Sequence, residues 1–136
     1  MEIDKTCENE ILPLESRSKI FGLIYIIKNT ETGLNYVGQT VSHRKNRGKY
    51  RPFGILGRFK DHVSEAINNT KRKQCSYLNN AIRKYGSTSF QVELLEVCAL
   101  ECLNLREQHY IATLDTLFQK VIILQKVEKH WRFIQK

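Results

Sequence analysis

Tyr25, Tyr36, Arg58, His62 and Glu107 follow one another at spacings that a small fold could gather into one place: two phenols, a guanidinium, an imidazole and a carboxylate. Such a set suits phosphodiester hydrolysis, which needs a base for water, cations against the charge of the transition state and help for the leaving oxygen. A phenol ionises near a pKa of about 10, so using one as a base near neutrality calls for cations beside it. Arg58 could supply that field while its planar fork grips a phosphate, and His62, one helical turn on, could orient a water or a tyrosine. Taken singly, each residue has a plainer reading. Tyrosine packs well in strands, and a lone Arg, Glu or helical His is most often a surface group. Only the joint order points to a site.

The elements that must position these residues can be read from pattern. Leu23-Ile24-Tyr25 and Tyr36-Val37-Gly38 lie in two apolar segments, residues 20–29 and 34–40, separated by the turn-forming stretch Asn29-Thr30-Glu31-Thr32-Gly33. That layout predicts a β-hairpin carrying both phenols, with its register open because a one-residue slip reverses the faces. The loop after it, Ser42 to Arg51, holds Arg44, Lys45, Arg47, Lys49 and Arg51 and reads as a mobile, positively charged arm. Phe59, Val63, Ala66 and Ile67 keep a helical period, predicting a helix over 58–69 with Arg58 and His62 on one face. A second helix runs from a Ser76 N-cap to Gly86, with the basic run Lys71-Arg72-Lys73 ahead of it. Residues 90–97 alternate as a third strand, and a third helix over about 99–114 carries Glu107.

With 136 residues, 41% of them hydrophobic, the chain is expected to fold as one domain with a real core. Residues 1–17 form an acidic leader from which Ile11, Leu12 and Leu14 could dock on the body; with five acids there against Lys5 and Arg17, the net +8 of the chain becomes +11 over residues 18–136. That surplus suits a polyanionic partner such as DNA, through Arg44, Lys45, Arg47, Lys49, Arg51, Lys71, Arg72 and Lys73, and equally suits a solubilising surface. No apolar run approaches the roughly 20 residues that span a bilayer, and the N-terminus lacks the pattern of a signal peptide. The expectation is an intracellular protein, cytoplasmic or nuclear, with no membrane partner. Cys7, Cys75, Cys98 and Cys102 form no CxxC pair, which points to reduced, packed thiols and no zinc.

Over residues 20–118 the chain resembles the GIY-YIG nuclease superfamily of homing and mobile-element endonucleases. Leu23-Ile24-Tyr25 stands for the first signature and Tyr36-Val37-Gly38 for the second, followed in order by Arg58, His62 and Glu107. Asn80 to Gly86 looks like a stretch found in phage and viral members. The resemblance implies an α/β fold, a three-stranded antiparallel sheet flanked by helices, and metal-dependent cleavage of DNA. It gives Tyr25 the part of general base, Tyr36 a hydrogen bond to water or phosphate, and Glu107 a single Mg²⁺ or other divalent cation. The competing reading is an inactive, basic DNA-binding remnant of such a nuclease. A small protein-interaction domain using the apolar C-terminal segment is a third.

Beyond Phe118 the family pattern breaks, because a Pro-Lys-Gly-Tyr-Asn-Leu-like loop is expected and this chain has no asparagine after Asn104. The divergent tail, residues 119–136, nevertheless admits codons which, with one base inserted ahead of Gln119, read Pro-Lys-Gly-Tyr-Asn-Leu-Thr-Lys-Gly-Gly-Glu. A shifted codon keeps two constrained bases, so this match points to a one-base deletion that replaced an asparagine at position 123. Ordinary divergence is the plainer account. Sequencing the gene across codon 119 decides: the deletion predicts codons that yield the family loop in the shifted frame, and any codon set that does not yield it rejects the deletion.

Overall fold

The computed structural model describes residues 9–68 and 76–125, with side chains described as far as Leu114 and the Ser76 side chain excepted. Lys71, Arg72, Lys73, Cys7, Cys75 and the stretch 126–136 lie outside the described residues.

The expected hairpin is present as β2 (Gly22–Asn29) and β3 (Asn35–Val41), antiparallel, with Tyr25 opposite Gly38 and Ile27 opposite Tyr36. Its turn is closed by Asn29, whose side-chain oxygen accepts from the backbone N–H of Glu31 at 2.9 Å, and by Gly33 at φ +75°. A positive φ there is cheap only for glycine. The third strand, β6 (Phe90–Cys98), pairs antiparallel with the other side of β2, so β2 is the centre of the order β3-β2-β6. A register shift in the β2–β6 pairing falls between Ile24 and Tyr25.

Being central, β2 is buried on both faces, and its side chains alternate between two cores. On one face Tyr25 and Ile27 pack with Ala66, Leu78 and Ile82, which belong to α1 (Gly54–Asn68) and α2 (Ser76–Tyr85). On the other, Ile24, Ile26 and Val37 meet Leu103, Tyr110, Ile111 and Leu114 of α3 (Leu103–Gln125). The result is a three-layer α/β domain. No helix among the described residues is long and apolar enough to cross a membrane.

Several boundaries differ from the pattern-based ones. The first helix starts at Gly54, four residues before Arg58, with Gly57 inside it. Glycine is tolerated there because any Cβ at position 57 would lie 2.6 Å from the Phe53 ring. The third helix starts at Leu103 after a 3-10 turn over Leu100–Cys102, and it continues past Phe118 to Gln125. Glu96 on β6 accepts from Arg106 Nε at 2.6 Å and from Tyr110 Oη at 3.0 Å, which pins α3 against the sheet on both sides of Glu107. Cys98 and Cys102 are free thiols.

The basic stretch after β3 is not a mobile arm. It forms β4 (His43–Asn46) and β5 (Lys49–Pro52), joined by a tight turn in which Arg47 and Gly48 both have positive φ, the geometry of hairpin turns. Part of the expected leader, Leu12–Pro13, adds β1 to the outer side of β5 and makes a second three-stranded sheet, β1-β5-β4. A 3-10 segment over Leu14–Lys19 then leads into the first sheet. The anchor is His43, 2% exposed, whose Nε2 donates to the Glu10 carbonyl at 2.7 Å and whose Nδ1 lies 3.1 Å from Ser42 Oγ. Since a carbonyl can only accept, Nε2 carries a proton, while Nδ1 shares a hydrogen bond with the Ser42 hydroxyl. Ser42 Oγ in turn accepts from the Phe21 backbone N–H at 3.0 Å. Leu12, 3% exposed, closes the sheet onto the body. Leu12→Ala is expected to lower the unfolding free energy by about 2–4 kcal/mol in urea titration and to speed amide exchange in β5 before that of β2.

Candidate active site

Tyr25 reaches off the middle of β2 toward α1, where its hydroxyl lies 3.0 Å from His62 Nε2 in a buried contact. What lets it lie flat against the neighbouring strand is Gly38, opposite it on β3: a Cβ at that position would sit 2.5 Å from the Tyr25 oxygen. The glycine of the second triplet thus makes room for the tyrosine of the first. Tyr36 shares this face, and its ring meets the His62 ring edge-on with centroids 5.7 Å apart. Tyr25 is 1% exposed, whereas Tyr36 is half-buried and forms the more open side of the cluster.

His62 is fully buried, and burial, with the Arg58 cation one turn back, lowers its pKa to about 3. The imidazole is therefore neutral at physiological pH. A group whose protonated form has a pKa near 3 is a weak proton acceptor, so His62 suits holding and orienting the Tyr25 hydroxyl better than stripping a proton from water. Arg58 lies 3.4 Å from a Glu65 carboxylate oxygen and 3.8 Å from Asp61, both on its own helix. Asp61 is shared with Arg44 of β4 at 2.9 Å, and Arg44 also lies over the Phe53 ring, 4.0 Å from its centroid. Arg58 is thus held between carboxylates.

Glu107 is held apart from this cluster. Gln39 follows Gly38 on β3 and so belongs to the opposite face, where its side-chain N–H groups donate to Glu107 Oε1 at 2.9 Å and to Asn104 Oδ1 at 2.8 Å. The fold brings Tyr25, Tyr36, Arg58 and His62 together and leaves Glu107 on the α3 side of β3, which is an edge strand of the first sheet. One carboxylate with an oxygen left over, beside an amide oxygen, is a donor set of hard oxygens that fits Mg²⁺, an ion that keeps most of its own waters. Among the described residues no three His, Cys, Asp or Glu side chains gather into a cage for a more fully ligated ion.

Gln39, Asn104, Asp61 and Glu65 are residues that the motif order did not single out. Spacing held a signal for some of them: Asn104 precedes Glu107 by one helical turn, and Asp61 and Glu65 follow Arg58 at i+3 and i+7. Of the proposed DNA contacts, Arg44, Lys45, Arg47 and Lys49 are exposed and Arg51 is half-buried, all in the β4–β5 hairpin.

Residues 6–131 match the family model SegE_GIY-YIG, described as "Putative endonuclease segE, GIY-YIG domain". The chain belongs to the GIY-YIG family. This GIY-YIG chain is also 31% identical over 114 residues to "Putative MSV199 domain-containing protein 146R" of Invertebrate iridescent virus 6. That match takes in 79% of the present chain and 40% of the viral protein, so the chain spans less than half the length of this relative. No solved structure matches it.

The lowered pKa of His62 has a consequence for stability. An unfolded histidine binds its proton near pH 6.5 and the folded one only near pH 3, so between those values the unfolded state gains protons that the native state refuses. Stability from this group is complete above about pH 6.5 and is lost as pH falls toward 3. Thermal unfolding of the wild type is expected to drop more steeply over that window than that of His62→Gln, the difference amounting to a few kcal/mol at its acid end; parallel pH profiles would contradict the burial of a neutral imidazole.

Proposed function

We propose that this GIY-YIG domain is a divalent-metal-dependent endonuclease that hydrolyses DNA phosphodiester bonds. The observation that carries the reading is the Tyr25–His62 contact at 3.0 Å, with the Tyr36 ring edge-on to the same imidazole and the Arg58 cation one helical turn back, on the face of the sheet where Gly38 makes space for Tyr25.

In this reading the scissile phosphate meets Arg58, which leaves its carboxylate partners for the more highly charged anion, its fork contacting two oxygens. To serve as base, Tyr25 first ionises in the field of Arg58, its proton leaving to solvent; the neutral His62, protonated on Nε2, then donates to the phenolate oxygen and orients it, and that oxygen takes the proton of the attacking water. Because Tyr25 is 1% exposed, water must reach it from the side of Tyr36, whose more open ring orients water or phosphate. Glu107, steadied by Gln39 with Asn104 beside it, would hold the metal at the edge of β3. When bound, a divalent cation neutralises charge on the phosphate and on the leaving oxygen. The neutral His62 acts as a positioning group. Arg44, Lys49 and Arg51 of the β4–β5 hairpin, and Lys71, Arg72 and Lys73 outside the described residues, would contact the DNA backbone.

The alternative is a DNA-binding remnant without turnover. Two observations favour it: the pairing of Arg58 with Asp61 and Glu65, and the near-complete burial of Tyr25. Nicking of supercoiled plasmid with and without Mg²⁺ decides. The nuclease reading predicts metal-dependent nicking that falls at least 100-fold in both Glu107→Ala and Arg58→Ala, by analogy with the loss of one preorganised charge-stabilising group. Salt-sensitive DNA binding without nicking by the wild type would establish the remnant instead.

A further inference from the structure

The second sheet sorts cations that the sequence presents as a single basic run. Its register sets Arg44 opposite Arg51 and Asn46 opposite Lys49, with Pro13 of β1 beyond Lys49. Directly opposed residues share a face and successive ones alternate. Arg44, Asn46, Lys49 and Arg51 therefore occupy one face, and His43, Lys45, Tyr50 and Leu12 the other. The second of these is the inner face, since Leu12 and His43 are buried. Three cations stand together on the outer face, Lys45 falls on the inner one at its exposed end, and Arg47 lies in the turn.

Two arginines directly opposed across a ladder repel each other, and an anion between them relieves that repulsion. Asp61 partly does so through Arg44. Arg51 Nε donates to the Asn46 carbonyl at 3.1 Å, which fixes its orientation. A guanidinium carries five N–H donors, so these bonds leave both forks able to take up a further anion. Asp61 also lies 3.8 Å from Arg58, which joins the outer face to the cluster on α1.

We propose that this outer face docks the phosphate backbone of duplex DNA, with Arg44 and Arg51 gripping one phosphate and Lys49 a neighbouring one. Through Asp61 the grip is held at a fixed distance from Arg58, so the face sets which bond enters the site. The proposal rests on the nuclease reading above. A duplex fits better than a single strand because single-strand sites add aromatic platforms for base stacking to their cations. Here Tyr50 belongs to the inner face and Phe53 is covered by Arg44.

The test is the salt dependence of binding to a short duplex for the wild type, Lys49→Gln, Arg51→Gln and Lys45→Gln, with plasmid nicking and thermal unfolding measured on the same preparations. All three variants lose one charge, so long-range attraction is matched among them. The expected result is a slope of log K against log salt shallower by about 1 in Lys49→Gln and in Arg51→Gln, and unchanged in Lys45→Gln. Arg51→Lys, which keeps the charge and loses the fork, should keep the slope and bind several-fold more weakly. Equal losses in Lys45→Gln and Lys49→Gln would overturn the proposal, as would an unchanged slope in all three or a wild type that does not bind duplex. A wild type that nicks without the split between faces rejects the docking face alone; a split without nicking supports the docking face and rejects the nuclease reading.

Discussion

Everything in this fold is referred to β2, a strand with no free edge and no free face. Its hydrogen bonds are taken by β3 on one side and β6 on the other, while its alternating side chains supply both cores. A slip of one residue would exchange Tyr25 with Ile24, sending a phenol into the apolar contact with α3 and an isoleucine against His62. The same alternation that builds the core thus fixes which side chains meet at the candidate site, and the two cannot be varied independently.

The positions of the secondary elements were largely legible because apolar periodicity was strong where the chain is buried. Ile24, Ile26 and Ile27 around Tyr25 announce a strand, and Leu78 with Ile82 announces the inward stripe of α2. Signals failed where burial is achieved by few residues. Between Ser42 and Pro52 only Ser42 and His43 are buried, so basic side chains mask the period and the hairpin reads as a loop. β1 is two residues long, includes a proline, and exists because a partner strand is available for it. Gly57 lies inside α1 beside the Phe53 ring, a closeness that only the tertiary contact reveals.

The candidate site was legible as a set of residues but not as a geometry. Residue order brought out Tyr25, Tyr36, Arg58, His62 and Glu107, yet could not separate the four on one face of the sheet from the carboxylate on the other. It also could not tell that Arg58 is shared between Asp61 and Glu65, since acidic residues on an exposed-looking helix are unremarkable in a sequence. That pairing has an energetic meaning for the proposed nuclease: a guanidinium already held by carboxylates would exchange one anion for another instead of being desolvated afresh, and the displaced carboxylates would remain close by to recapture it.

The close approach of Gly38 to the Tyr25 hydroxyl ties the fates of two positions. A chain that exchanged the phenol for a smaller side chain would no longer need glycine opposite it, and position 38 could then drift to alanine or serine without penalty. From that state the tyrosine could not return, because the new Cβ would occupy its place. Loss of the phenol would therefore act as a ratchet, hard to reverse once position 38 had gained a side chain.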